Sequence, residues 1–394
     1  MRNITLFIFV FIALNFKSYS QDSHKEVINR DIVLADSILN NILNLYHVAK
    51  YDLLSETYPI NREHRVDYLA EGSNQRQKQE VSFLWPYSGV LSGVVALYKA
   101  TKNEKYFDLL ESRILPGLEK YFDSSREPAS YQSYPVYAGR NDRFYDDNVW
   151  LALDFCALYE VTKNEKYLNK ALQLYDFIYS GWDEISGGGI YWCEQKKTSK
   201  NTCSNAPSAV LCAKLYQITG DEKYLNQSIK TYEWTKNNLM DPTDGVYWDN
   251  VNVKGKIDQR KYTYNSGQMI EAGVLLYQIT KKEVYLQDAQ KTAAGTHRFF
   301  VKEVETEYGL KPFYPSSPWF NTILFRGLKA LYKVDDNPAY VKTIKQNASY
   351  ACENTLNKNK LFSNSWHKES NNPYKWLLDN ACMIELFTEF SNIK

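Results

Sequence analysis

The sequence predicts an all-α chain built from about six antiparallel helical hairpins. Two observations carry that expectation: a short phrase that recurs along the chain, and helical apolar spacing on both sides of each copy. The phrase is a Leu-Tyr pair followed by a second tyrosine, at Leu97-Tyr98 with Tyr106, Leu158-Tyr159 with Tyr167, Leu215-Tyr216 with Tyr224, Leu276-Tyr277 with Tyr285, and Leu331-Tyr332 with Tyr340. In each copy the two tyrosines are eight residues apart, and the copies recur every 55 to 61 residues.

Each phrase reads as a helix end, a tight turn and a helix start. Four copies hold a Thr-x-x-Glu box between the tyrosines (Thr101/Glu104, Thr162/Glu165, Thr219/Glu222, Thr280/Glu283), the spacing that caps a helix start by reciprocal side-chain bonds. Ahead of the phrase, Val149, Trp150, Leu153, Phe155, Ala157 and Leu158 keep helical spacing, and Tyr167, Leu168, Ala171, Leu172 and Tyr175 keep it beyond. Leu45-Tyr46 and Leu386-Phe387 fit as opening and closing members. Six such pairs close into an (α/α)6 toroid by burying inner helices against outer ones, and an open solenoid satisfies the same periodicity.

At the N-terminus, Arg2, the apolar run from Ile4 to Leu14 and the small-residue end Ser18-Tyr19-Ser20 predict a signal peptide over residues 1–20, with cleavage before Gln21. The product expected is an exported, soluble, monomeric chain with one catalytic domain over 21–394. No Cys precedes Cys156 to form a lipobox, and no later stretch is apolar for long enough to span a bilayer. Lys and Arg total 47 against 46 for Asp and Glu, so no net field draws the chain to nucleic acid or an anionic membrane. Aromatic residues make up 15% of the chain, with 32 Tyr and 9 Trp, and flat faces with polar edges suit sugar rings as well as helix packing. Cys156, Cys212, Cys352 and Cys382 lie in apolar helical patterns, whereas Cys193 and Cys203 bracket a polar stretch that a disulfide could close. No Cys or His spacing suggests a metal site, and the five histidines are scattered.

Turns within pairs are short and connections between pairs are long, near 121–145, 181–206, 240–264, 302–318 and 357–375, so the long loops must share one end of the ring. The chemically unusual residues gather in or beside those loops, which makes that end the expected active face. Asp146 and Asp147 stand where a long loop enters an inner helix. One acidic residue there is ordinarily a cap or a dipole partner. Two in succession repel, which leaves one carboxylate ionised and its neighbour able to donate a proton, the division of labour a glycosidase needs. In retaining enzymes the paired carboxyls stand about 5–5.5 Å apart, a separation that adjacent side chains at a helix entrance can reach.

Candidate substrate contacts are Trp85, Tyr87, Tyr145, Asn148, Trp192, Asn205, Trp248, Asp249, Tyr264, Asn265, Gln268 and Trp319. The aromatic side chains offer stacking faces, and the amides can bond sugar hydroxyls in two directions at once. Gly187 to Gly189 would let the backbone pass close to a ligand. Core packing is the competing role for each aromatic, and helix capping for each Asn.

Taken together, Leu84-Trp85-Pro86-Tyr87-Ser88-Gly89, Tyr145-Asp146-Asp147-Asn148-Val-Trp150, Gly188-Gly-Ile-Tyr-Trp192 and Tyr264-Asn265-Ser-Gly-Gln268 resemble, in order, the motifs of glycoside hydrolase family 76. The resemblance implies retaining endo-α-1,6-mannanase activity on α-mannan or manno-oligosaccharides, with no metal or organic cofactor. It implies Asp146 as nucleophile and Asp147 as general acid/base. Two other roles remain open on the same scaffold: a transglycosylase on mannose-containing glycans, and a non-catalytic glycan-binding protein. Beyond about Trp319 the hairpin pattern continues without a motif that maps onto the family.

Overall fold

The computed structural model describes residues 30–64 and 79–393; the expected signal peptide lies outside the described residues. Six inner helices are α2 (Leu84–Thr101), α5 (Tyr145–Thr162), α7 (Thr202–Thr219), α9 (Thr263–Thr280), α11 (Pro318–Asp335) and α13 (Leu377–Phe390). Each packs on the next and α13 returns to α2, so the ring is closed and the open solenoid is excluded. The outer helices are α1 (residues 30–45), α3 (Glu104–Leu109) running through a π-helical turn (Leu110–Ile114) into α4 (Leu115–Glu119), α6 (Glu165–Tyr179), α8 (Glu222–Leu239), α10 (Glu283–Phe300) and α12 (Ala339–Asn354).

Burial follows the layers. Thirteen residues of α7 are buried, nearly all of its length, whereas α6 buries one apolar stripe of Tyr167, Leu168, Ala171, Leu174, Phe177 and Ile178. Inner helices crowd closely where side chains are absent: a Cβ on Gly267 would come within 2.4 Å of Leu324 Cα, and one on Gly327 within 2.0 Å of the Gly267 carbonyl oxygen. The glycine of the Tyr264–Gln268 motif therefore serves the α9–α11 contact.

The turn between paired helices corrects the expected capping box. Thr101, Thr162, Thr219 and Thr280 end the inner helices, donating to the carbonyls four residues back and accepting from the N–H two residues on. The outer helices are capped instead by Asn103, Asn164 and Asp221, each accepting from the N–H two residues ahead. The opening and closing members do not sit in one hairpin. α1, from the start of the chain, fills the outer layer between α12 and α3: Arg30 lies 3.9 Å from Glu353, and Asp36 accepts from Lys105 Nζ and the Tyr106 hydroxyl at 2.8 Å each.

The long connections carry short antiparallel strands, an addition to the helical expectation. The largest sheet is a four-stranded meander of Tyr191–Cys193, Lys196–Asn201, Trp248–Asn252 and Ile257–Lys261 beside the starts of α5, α7 and α9. The stretch between Cys193 and Cys203 is thus a hairpin, and both cysteines are buried free thiols.

Candidate active site

All six inner helices begin at the long-loop end, and their first four residues set the site. The fourth residue holds the incoming loop. Asn148 Oδ1 accepts from the Tyr131 N–H, and its Nδ2 donates to the carbonyls of Tyr131 and Phe144, all at 2.9 Å. Asn205 repeats this clasp on Ile190 and Asn201, and Asn380 repeats it on Phe362 and Trp376. Ser266 accepts from the Tyr247 N–H, Asn321 donates to the Pro315 carbonyl, and the Tyr87 hydroxyl donates to the Ile114 carbonyl. Asn148, Asn205 and Tyr87 were expected to touch substrate, but their polar atoms are spent on backbone. Tyr145 likewise stacks on Phe177, with ring centroids 4.9 Å apart, and sits in the space left by Gly181.

The second and third residues ring the mouth: Trp85 of α2, Asp146 and Asp147 of α5, Cys203 and Ser204 of α7, Tyr264 and Asn265 of α9, Trp319 and Phe320 of α11, and Asp379 of α13. Asp146 and Asp147 keep some solvent contact while protein surrounds them densely, and burial raises both carboxyls above the ordinary carboxylate range. Their surroundings then divide them. Asp146 accepts the Trp192 Nε1–H at 2.9 Å on Oδ2 and the Asp147 N–H at 3.0 Å on Oδ1, and these bonds, with the Cys203 thiol beside it, favour its charge. No described residue donates to the Asp147 carboxyl, and the charge of Asp146 pushes it further up. Proton affinity is therefore higher on Asp147 than on Asp146.

Trp192 reaches Asp146 because its hairpin is pinned to the segment ahead of α5. Arg143, wholly buried, makes a two-pronged pair with Glu194, with Nε to Oε2 at 2.7 Å, and donates to the Pro128 carbonyl at 3.0 Å. The Arg143 N–H donates to Gln195 Oε1 and its carbonyl accepts from the Glu194 N–H. The Trp192 ring packs on Phe144 at 5.0 Å. Two of the glycines ahead of it serve the scaffold: a Cβ on Gly188 would come within 2.6 Å of the Trp182 ring and one on Gly189, at φ +89°, within 2.5 Å of the Trp234 ring, whereas Gly187 has open space.

Aromatic rings line the rest of the mouth. Trp319 meets Trp85 and Trp150 edge-on at 5.0 and 5.3 Å, and Tyr264 stacks on Phe320 at 4.3 Å. Asp249 is buried and raised by that burial, opposed by the Asn250 amide, which donates to it at 2.9 Å, while Asn265 lies beside it with both amide atoms buried and free of hydrogen bonds among the described residues. Trp248 stays part-exposed on the sheet with its carbonyl accepting from Thr202. Gln268 lies deeper and donates to Glu271 at 2.9 Å. So the ring gathers Trp85, Trp192, Asp249, Tyr264, Asn265 and Trp319 near the acid pair.

Sequence reasoning missed Cys203, Arg143, Glu194 and Asp379. Aligning the six helix starts would have revealed Cys203 and Asp379 at positions matching Asp146 and Asp147.

Two carboxyls of unequal proton affinity beside aromatic platforms suit nucleophilic and acid–base attack on a glycosidic bond, which places the chain among the glycoside hydrolases. Comparison with known families specifies which: residues 36–392 match the model of glycosyl hydrolase family 76, and the chain belongs to that family. A family 76 mannosidase from Bacteroides thetaiotaomicron superposes with a TM-score of 0.82 at 28% identity, covering 92% of this chain and 98% of that one. An inactive variant of the α-1,6-mannanase of Salegentibacter sp. HEL1_6, with two adjacent aspartates changed to asparagine and α-1,6-mannotriose bound, superposes with a TM-score of 0.73 at 25% identity over 92% of this chain and all of that one. Among curated relatives, the meiotically up-regulated gene 191 protein of Schizosaccharomyces pombe is 25% identical over 54% of this chain and 50% of its own length. The mannan endo-1,6-alpha-mannosidase DCW1 of Saccharomyces cerevisiae is 26% identical over 34% of this chain and 32% of its own. The chain thus spans half or less of the length of these two curated relatives.

Proposed function

We propose that this protein is a retaining endo-α-1,6-mannanase acting on α-mannan, with Asp146 as nucleophile and Asp147 as general acid/base. The observation that carries it is the asymmetry of the pair, two hydrogen bonds on Asp146, with the Cys203 thiol beside it, against none from described residues on the Asp147 carboxyl. Asp146 attacks the anomeric carbon as Asp147 gives its proton to the departing glycosidic oxygen. Asp147, now a carboxylate, takes a proton from water, whose oxygen displaces Asp146 from the sugar and completes a second inversion. The bound mannotriose and the inactivity of the Salegentibacter variant with both aspartates replaced support the substrate and the use of an aspartate pair. We extend the proposal to a single catalytic domain over 21–394, exported after removal of residues 1–20. No helix among the described residues is long and apolar enough to cross a membrane.

The test is hydrolysis of debranched α-1,6-mannan, with product sizes followed over time. Asp147→Asn should lower kcat by about 10²–10⁴-fold, and Asp146→Asn, its fold intact by circular dichroism, should lose turnover. An Asp146→Asn protein that cuts at the parent rate refutes the assignment, and products longer than the donor would make the protein a transglycosylase.

A further inference from the structure

On another side of the mouth, between the starts of α2, α11 and α13, lies a cavity of about 450 Å³ walled by Trp85, Trp319, Phe320 and Trp376, with Lys375 and Asp379 but neither Asp146 nor Asp147 among its lining. Its size falls in the range of small-ligand sites. Trp85 meets both Trp319 and Trp376 at 85° and lies at 21° to Phe320, so the four rings form one continuous aromatic wall. Apolar faces of this kind take the C–H side of a sugar ring.

Asp379 supplies the polar side. It is only 4% exposed, yet it lines the cavity and no described residue donates a hydrogen bond to its carboxyl. An acceptor so placed in a buried site costs free energy unless a ligand or water satisfies it. Its position is not accidental. Asp379 is the third residue of α13 as Asp147 is the third of α5, and each is followed by an asparagine making the same backbone clasp. The register that presents Asp147 at the mouth thus presents Asp379 there from another side. Lys375 is committed to the loop, donating to the Ser370 and Asn372 carbonyls at 3.2 and 3.0 Å, and its charge offsets that of Asp379. A neutral donor of hydroxyl groups fits that balance better than a cation or an anion.

We infer that this cavity is a sugar subsite that holds one neutral hexose unit of the glycan, with Asp379 accepting from its hydroxyls. The inference rests on the mannanase proposal for the identity of the sugar, and it adds a binding residue outside the acid pair.

The test is calorimetric titration of α-1,6-mannotetraose into Asp146→Asn and into the double variant Asp146→Asn/Asp379→Asn, with steady-state hydrolysis by the parent and by Asp379→Asn alongside. The expected result is an affinity at least tenfold weaker in the double variant, and in Asp379→Asn a higher KM on the tetraose with kcat kept. A merely structural role would lower kcat and thermal stability without this split. Equal affinities in the two titrated proteins, or no binding to either, overturn the subsite. Binding that depends on Asp379 in a parent that cuts nothing keeps the subsite and refutes the hydrolase proposal alone.

Discussion

The bond from Trp192 Nε1 to Asp146 Oδ2 should set the acid limb of the pH–rate profile. Trp192→Phe removes the donor while keeping an aromatic ring against Phe144. A hydrogen bond to a charged group contributes about 1.5–3 kcal/mol, and 1.36 kcal/mol corresponds to about one pKa unit. Losing the donor destabilises the ionised nucleophile relative to its protonated form, so the apparent pKa of the acid limb should rise by about 1–2 units. Below that limb kcat/KM falls in proportion, about 10–100-fold, whereas near the optimum the loss is smaller. The assay is kcat/KM on an α-1,6-manno-oligosaccharide across pH, where the profile reports macroscopic constants of the coupled pair. An acid limb that stays in place in a folded Trp192→Phe protein refutes the claim that this indole holds the charge on Asp146.

Other consequences follow from the scaffold. Arg143→Met removes the two-pronged partner of Glu194, which keeps Arg126 at 3.8 Å, and the donor to the Pro128 carbonyl, and denaturant unfolding should show about 1.5–3 kcal/mol lost together with a drop in kcat as the Trp192 hairpin loosens. Asn205→Ala breaks three hydrogen bonds inside the protein and should cost about 2 kcal/mol or more in stability, while KM for mannan changes by less than about twofold in the folded fraction. Asp154, bonded to Ser92 at 2.7 Å, is raised by burial from 3.8 to about 7, so the folded state binds its proton more tightly than the unfolded one. Its contribution to stability is full below pH 3.8 and is lost as pH rises through about 7, and Asp154→Asn should flatten that fall in unfolding free energies measured from pH 4 to 8.

The helices were legible because their signal is repeated. Five copies of the Leu-Tyr phrase fix the turn end of the ring, and the long intervals between them fix the loop end. What periodicity could not convey was the use of each polar residue within a helix start. Asn148 and Asn265 look alike in sequence, each near the first turn of an inner helix behind a tyrosine. They sit one position apart in register, and that offset turns Asn148 back onto the Tyr131 backbone while Asn265 lies beside Asp249. The Thr-x-x-Glu boxes misled for a related reason: with a left-handed residue such as Lys163, at φ 56°, after Thr162, the threonine closes one helix and the next residue, Asn164, opens the other. Arg143 and Glu194 lie far apart in sequence, and no local pattern announces their pairing.

The register of the helix starts also explains how a symmetric ring yields an asymmetric site. The fourth residue is constrained everywhere, because a loop entering the ring must have its backbone groups satisfied, and Asn148, Asn205 and Asn380 solve that problem identically. The second and third residues carry no such duty and are free to differ. In α5 both are acids, and their closeness makes one proton shared. In α13 the second is Leu378, so Asp379 has no neighbouring carboxylate in the chain, and its raised affinity for a proton, to about 7, comes from burial and is opposed by Lys375. Asp147 is raised by burial and by Asp146 together, and it lies next to the residue that can attack. An isolated acid on the same scaffold can bind a sugar; only the doubled one sets the proposed nucleophile beside the proposed proton donor. Moving the doublet, by Leu378→Asp in α13 with Asp146→Leu in α5, should therefore leave a folded protein without hydrolysis, because the new pair would lack the Trp192 bond and the neighbouring Cys203 thiol that favour the charge of Asp146.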